Sequence, residues 1–465
     1  MLSSAHAMAA LAAFVADLRD DDVPAATRQR ATRIVADTVG VALRGSVTGP
    51  AARLVASRQD GDEAHLLAAG FPATTRSEAA LLNAILTCST ELDEGTRPTG
   101  HPAMHLLPPV LAASQARRCS GRSFLTAFVA GYEVQARLQR AVRLRDRVHC
   151  HGNFGHAGVA AALALLEGRP AEAVLTAMNG AVALASATSY GAPYAGASMH
   201  AAAPSTSGSV GALAVRLAEA GYTAYDGAVD ETFGRLLGTA VDADELTRGL
   251  GSDWAVDGGY TKFHSTCGHV HPVLDALVDA LAGRLGPGDA PWRLAAPVDP
   301  DQIASVEVTV SSRAAELAHL PPPGSALSAR FSIRFSTAAF LAHAHAAAEV
   351  FEQPALDDPR VRALAERVAI VADPELDRLF PELHRARVLV RFRDGTTATG
   401  SCDNPYGNPY HPASDADVRR KFGELAGAVM PAAEADLLWQ RIRDCDRLDD
   451  VRDLTPTSPI ERQQR

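Results

Sequence analysis

Two lysines stand in this sequence against forty-two arginines. Arginine has taken nearly every place where a generic positive charge suffices, so each surviving lysine marks a position where a compact, titratable ammonium does what a planar guanidinium cannot. One of them, Lys262, opens the densest group of reactive side chains in the chain, Lys262-Phe263-His264-Ser265-Thr266-Cys267-Gly268-His269-Val270-His271. The other is Lys421.

Two further segments carry chemistry. The first is Glu91-Leu92-Asp93-Glu94-Gly95-Thr96-Arg97-Pro98-Thr99-Gly100-His101-Pro102, which sets three acids, an arginine and a histidine on a loop stiffened by glycine and proline. Arg97 suits bidentate capture of a carboxylate, and His101 suits proton transfer or hydrogen-bond donation. The competing reading is a charged, solvated helix end. The second segment, His149-Cys150-His151-Gly152-Asn153-Phe154-Gly155-His156, is a glycine-rich turn feeding an alanine-rich helix at 157–166. A helix start favours an anion, with His149 or His151 beside it, and small residues admit a close approach. The alternative is a histidine-rich surface loop. Histidines together with Cys150 and Cys267 suggest zinc, yet neither Cys-x-x-Cys nor His-Glu-x-x-His occurs, so no metal is expected. A lone histidine such as His264 reads equally well as structural. In Arg330-Phe331-Ser332-Ile333-Arg334-Phe335-Ser336, an extended chain aims Arg330, Ser332 and Arg334 to one side. Phosphate-loop, dinucleotide and Gly-x-Ser-x-Gly signatures are absent, and Ser207-Gly208-Ser209 reads as close helix packing.

The elements that must hold these groups follow from periodicity. Ile34, Val35, Val39 and Leu43 recur at helical spacing behind Pro24, with Gly45 at the end. Thr75 and Glu78 make a capping signature ahead of a helix at 77–90, and further helices are expected at 107–118, 122–140, 155–167, 171–187 and 207–220. Met1–Leu18 reads as an amphipathic helix and not as a signal peptide. After residue 253 the texture changes. Ser305–Val310 alternates as a half-buried strand, and Asp394-Gly395 joins Val388–Phe392 to Thr396–Ser401 as a hairpin. Helices are expected at 336–352, 359–371 and 415–438. The fold class is mainly α with a second α+β domain. A helical body covers 1–255 and regains 402–452, an α+β lid covers 256–401, and a polar tail over 453–465 is expected to be disordered. A net charge of −10, with 47% hydrophobic and 21% charged residues, argues against nucleic-acid and anionic-membrane partners. Six cysteines without close pairing fit a reducing cytoplasm, and no stretch reaches the ~18 apolar residues of a membrane span.

Taken in order, eight blocks resemble the MmgE/PrpD family: ATRIVADTVGVALRGS, LLNAILTCSTELDEGTRPTGHP, FLTAFVAGYEV, HCHGNFGHAGVAAA, LAVRLAEAGYTA, KFHSTCGHVHPVLDA, ARFSIRFSTAAFLA and NPYGNPYHPASDADVRRKF. That family includes 2-methylcitrate dehydratase, cis-aconitate decarboxylase and iminodisuccinate epimerase. The resemblance implies a large helical domain closed by a smaller α+β lid, a homodimer, an active site between the domains and no metal or organic cofactor. By position it also implies active-site roles for Glu91, His101, His149 and Lys262.

The departures bear on which reaction is run. Decarboxylase-like members carry aspartate at Glu91, threonine at Gly95, lysine near His200, histidine at Cys267 and tyrosine at Phe335, which tells against cis-aconitate decarboxylation. The ELDEG-x-R-x-x-GHP loop and the double histidine of HCHG look more like the epimerase-containing branch. The resulting expectation is a cofactor-independent lyase, a dehydratase that removes a proton α to a carboxylate of a small di- or tricarboxylate. His101, His149, His151 and Lys262 are its catalytic candidates. Glu91, Asp93, Arg97, His200, Cys267, His271 and Arg334 are its binding candidates. The alternatives are an epimerase or isomerase working by two-base proton transfer, and a noncatalytic binding protein on the same fold.

Overall fold

Small residues at helical spacing shape the N-terminal half. In the computed structural model, which describes residues 3–98, 100–316, 320–380 and 382–455, its long helices span Ala25–Gly45, Arg76–Cys88, Pro102–Arg117, Gly121–Ala141, Phe154–Leu166, Ala171–Ala183 and Ser205–Glu219. Glycines let their axes approach. A Cβ on Gly158 would lie 2.8 Å from the carbonyl oxygen of Gly131, and one on Gly211 would lie 2.7 Å from Val159. Pro24 precedes the helix Ala25–Gly45, and Thr75 Oγ1 accepts the N–H of Glu78 at 3.2 Å, as an N-cap does. The helix Ser4–Asp17 buries Ala7, Met8, Leu11 and Val15. Two minimal antiparallel strand pairs, Ala64–His65 with Ala73–Thr74 and Val142–Leu144 with Gly238–Val241, are set into this helical body.

A second core forms over residues 270–402 around a four-stranded sheet. The strands lie in the order Val368–Ala372, Ile303–Val310, Ala386–Phe392, Thr397–Cys402, with the first pair parallel and the others antiparallel. The Asp394-Gly395 turn makes the expected hairpin, with Gly395 at φ +83 and Arg391 opposite Thr397. Beyond the sheet the chain returns to the first core, where Val418, Phe422, Leu438 and Trp439 pack. The class is thus mainly α with a smaller α+β part.

Several local expectations change. The helix at 359–371 stops at Ala365, and the β-rich run Val368–Ala372 pairs in parallel with Ile303–Val310. The helix expected at 336–352 runs over Ile333–His343, ends at the left-handed Ala344, and is followed by a 3-10 turn at Ala348–Phe351. The helix at 171–187 ends at Ala183. Pro431, which cannot continue a helix, separates Asp415–Ala426 from Ala432–Arg443. Arg330–Ser336 is not extended. The helices Ala326–Phe331 and Ile333–His343 meet at Ser332, whose hydroxyl caps the second by accepting the N–H of Phe335. At the C-terminal end, Thr455 is buried and bonded to His65 at 2.8 Å and Gln115 at 2.7 Å, so the tail expected to be disordered from 453 is ordered to that point. Residues 456–465 lie outside the described residues. Among those described, no helix is long and apolar enough to cross a membrane.

Candidate active site

A helix end leaves carbonyls without intrahelical partners. Past Cys88 four consecutive ones each accept from a side chain of the C-terminal half: Ser89 from Arg330 Nη1 at 3.1 Å, Thr90 from Ser265 Oγ, Glu91 from Lys262 Nζ at 3.0 Å and Leu92 from Lys421 Nζ at 3.1 Å. Both lysines of the chain therefore hold neighbouring carbonyls of one loop. Their remaining donors meet acids, Lys262 reaching Asp93 Oδ1 at 3.5 Å and Glu91 Oε2 at 3.9 Å, and Lys421 reaching Asp37 Oδ1 at 2.7 Å. Held this way, Glu91 sits at φ +54, a conformation that costs an L-residue energy and persists only under constraint.

Asp93 links this clamp to His101. The Nδ1–H of His101 donates to the Glu94 carbonyl at 2.8 Å, and the same nitrogen lies 2.6 Å from Asp93 Oδ2 as an ion pair. Burial pushes Asp93 upward, but Lys262 and then His101 outweigh it and hold the carboxylate below its ordinary range. Burial likewise opposes charge on Lys262 and on His101, and the acids beside each overcome it, so both sit above their usual values. Glu94 lies apart from this pairing. Burial raises it to about 7, although Tyr132 and the N–H of Ala103 donate to its two oxygens.

The loop is pinned to the lysine segment by a two-bond bridge, Gly95 N–H to Tyr260 O at 3.2 Å and Tyr260 N–H to Gly95 O at 2.8 Å. A Cβ on Gly95 would lie 2.4 Å from Cζ and Oη of Tyr260, so the tyrosine ring occupies the space that a threonine at 95 would need. Gly95→Ala is expected to destabilise the protein by roughly 1–3 kcal/mol through overpacking. In a double-mutant cycle with Tyr260→Ala, urea melts should show coupling of about 1 kcal/mol or more. Strictly additive losses would mean that Tyr260 does not set the fit.

Opposite the loop, the rings of His149 and His151 stack at 4.2 Å, and His151 lies 5.1 Å from His101 and 5.3 Å from His200 between ring centres. Asn153 builds this turn. Its Oδ1 accepts the N–H of Phe154 at 2.8 Å and its Nδ2 donates to the His149 carbonyl at 2.7 Å, so the helix start expected to face an anion already has a side-chain cap. His149 Nδ1 accepts the backbone N–H of His151 at 3.1 Å, which leaves the proton of the neutral ring on Nε2. Burial first, then the neighbouring imidazoles, drives His149 and His151 well below the ordinary histidine value. Burial lowers His200 too, and its Nε2 is buried without a hydrogen-bond partner among the described residues, 3.8 Å from Glu91 Oε1.

Glu91, Asp93, His101, His149, His151, His200 and Lys262 thus come together. Arg97 is half-buried, donating from Nη2 to Asn404 Oδ1 at 3.3 Å with its guanidinium 5.7 Å from the Phe380 ring centre and no carboxylate partner among the described residues. Cys267 is half-buried, and burial raises its thiol to about 11. Two further candidates are held elsewhere. His271 turns back on its own loop, Nε2 bonding the Thr266 carbonyl at 3.3 Å. Arg334 bonds the Val368 carbonyl of the sheet, because the break between helices at Ser332 sends it away from Arg330. Arg330 instead enters the loop clamp, reaching Ser265 Oγ at 3.1 Å and Glu352 Oε1 at 3.3 Å. His264 bonds Asp275 through Nε2 at 2.8 Å, while its Nδ1 is buried without a hydrogen-bond partner among the described residues.

Sequence reasoning missed Tyr260, Ser265 and His105. A signal for His105 existed, since it stands four residues after His101 and therefore on the same helical face. Three sets of possible metal ligands also converge, His101, Cys150 and His151; His149, His151 and His200; and Cys88, Glu91 and His200, each set with ligand atoms within 4.8 Å of one another. Each set joins two neighbouring residues to a third from a distant segment, which no local spacing could reveal.

Fold and site define a two-domain protein, helical body and α+β unit, whose acids, histidines and lysine gather where the C-terminal half caps the loop of the N-terminal half. Residues 9–244 match the MmgE/PrpD N-terminal domain and residues 264–445 match the MmgE/PrpD C-terminal domain. The chain belongs to the MmgE/PrpD family. It is 27% identical over 480 residues to a cis-aconitate decarboxylase-like protein of Aspergillus oryzae, covering 96% of each chain. Cis-aconitate decarboxylase of Aspergillus terreus is 25% identical, with 80% of this chain and 79% of the relative covered. The enzyme of Mus musculus is 26% identical, with 81% and 77% covered.

Proposed function

We propose that this protein is a lyase, a dehydratase that removes a proton α to a carboxylate of a small di- or tricarboxylate and expels a β-hydroxyl. The observation that carries this reading is a pair of imidazoles, 5.1 Å apart between ring centres, pushed in opposite directions: His101 upward beside Asp93, and His151 well downward by burial and its neighbours. Two titratable groups driven apart in one site serve as acid and base. His151 takes the α-proton, and the electron pair left on carbon spreads into the carboxylate as an enolate. Lys262 stays charged beside it, and His149 offers its Nε2–H as a donor. His101 then protonates the departing hydroxyl, giving an alkene and water.

Decarboxylation, the activity named for the relatives, has less support in these residues. Phe335 lies buried against Phe351 in the lid core, and neutral His200 supplies no fixed cation where the decarboxylases carry lysine. Proton NMR of a polycarboxylate panel in heavy water tests the reading. A new alkene signal without loss of carbon dioxide is the expected result. Deuterium uptake with inversion would make the enzyme an epimerase, carbon dioxide release a decarboxylase, and silence across the panel a binding protein. The reading uses no metal or organic cofactor, so turnover should survive exhaustive chelation; inactivation reversed by added zinc would reassign the histidines as ligands.

Arg97, without a carboxylate partner among the described residues, is proposed to anchor a substrate carboxylate. Such a contact is present before and during proton transfer, so Arg97→Ala should raise KM by an amount equivalent to roughly 1.5–3 kcal/mol with a smaller loss of kcat. An unchanged KM in steady-state assays would remove the anchor. The proposal extends to a homodimer in a reducing cytoplasm, with which six cysteines outside any disulfide are compatible.

A further inference from the structure

We propose that His105 and Ser207 are positioning residues that form, with His151, a buried proton relay, and that this relay leaves His151 Nε2 as the free lone pair facing the site. Ser207 Oγ lies 2.9 Å from His105 Nδ1, and His105 Nε2 lies 3.1 Å from His151 Nδ1. Ser207 and His105 are fully buried and His151 is 2% exposed, so solvent does not complete these bonds. Three separate elements meet here, the helices Ser205–Glu219 and Pro102–Arg117 and the turn before Phe154. Gly155 makes the meeting possible, since a Cβ there would lie 2.6 Å from Ser207 Oγ and 2.8 Å from His105 Cβ.

A neutral imidazole has one N–H and one lone pair, so the chain of bonds allows two proton orders. In the first, His151 Nδ1–H donates to His105 Nε2, and His105 Nδ1–H donates to Ser207 Oγ. His151 Nε2 is then a base. In the second, every donor is reversed and His151 Nε2 carries hydrogen. The proposal assigns the first order. It also separates two histidines that sequence left equivalent. His149 Nδ1 is occupied by the N–H of His151, so His149 presents a donor and cannot share the role of base. In this step, which rests on the dehydratase reading, the substrate C–H proton moves to His151 Nε2 and its electron pair stays on carbon. The imidazolium formed keeps its Nδ1–H on His105 Nε2, where the relay holds it.

The test is long-range proton–nitrogen NMR on the full protein labelled with 15N-histidine, with His151 signals assigned by their loss in His151→Gln. In the wild type, the His151 proton is expected on Nδ1; a proton on Nε2 overturns the assignment without any variant. Ser207→Ala removes the terminal acceptor while keeping a helix-compatible residue, so His105 should reverse and the His151 proton should move to Nε2. Exchange of the substrate α-proton should then fall by about tenfold or more in kcat with KM little changed. A His151 ring unmoved by Ser207→Ala overturns the relay, and a moved ring with unchanged exchange overturns its part in the reaction. If the wild type exchanges deuterium into no carboxylate while the ring signals behave as described, the dehydratase reading fails and the relay stands.

Discussion

Lys262→Met is expected to lose roughly 3–5 kcal/mol of stability and all measurable turnover, because it strands buried Asp93 and Glu91 without their ammonium and leaves the Glu91 carbonyl unpaired. Urea melts and steady-state kinetics check the two halves. The pH dependence gives a second reading. Asp93 sits below its unfolded value, so the stability it contributes is present above that value and is lost as pH falls through the folded one. Lys262 sits above its unfolded value, so its contribution is present below that value and is lost as pH rises through the folded one. Both are intact at neutral pH. In Lys262→Met the largest remaining influence on Asp93 is burial, which raises it, so acid unfolding should begin at higher pH than in the wild type. Lys262→Arg keeps the charge but brings a wider, planar group into a slot that is 1% exposed, and it should remain folded while losing most activity. Near-native turnover in the arginine variant would remove the compact ammonium from the mechanism.

Asp93→Asn is the second large effect. Asparagine fills the same space and keeps an amide oxygen or nitrogen beside His101 Nδ1. It carries no charge, so the first influence left on His101 is burial, with Lys262 pushing the same way, and its value should fall. The acid would then be deprotonated across the neutral range. A kcat loss of about 10²–10⁴ is expected near neutrality, partly recovered at lower pH, with the alkaline limb of the pH–rate profile displaced downward. If that limb stays in place, His101 is not the proton donor.

Much of this site was legible before the fold was known, for reasons that differ by residue. Lys262 stood out by rarity, the Glu91–His101 loop by its density of charge between glycines and prolines, and the hairpin by Asp394-Gly395. The strand Val368–Ala372 was hidden, because it follows a helical turn without a glycine or proline between them and owes its conformation to a parallel partner at 303–310. Arg334 was misplaced because alternation of polar and apolar residues looks the same in an extended chain and across two helices broken at Ser332. His105 and Ser207 lay in apolar and small-residue runs that read as packing, which they also provide. Their chemistry exists only where three distant elements touch, and no window along the chain spans that distance.

The four capped carbonyls from Ser89 to Leu92 also impose an order in time. A chain leaves the ribosome N-terminus first, and helices such as Arg76–Cys88 and Pro102–Arg117 can begin to pack while synthesis continues. Ser89, Thr90, Glu91 and Leu92 are then already made, but the groups that receive their carbonyls, Lys262, Ser265, Arg330 and Lys421, follow in that sequence over the rest of translation. Until Lys421 emerges, the Leu92 carbonyl lacks the donor it has in the folded chain. The loop bearing Glu91, Asp93 and His101 therefore gains its last side-chain clamp only after the chain of the helical body has been made, when the second lysine docks.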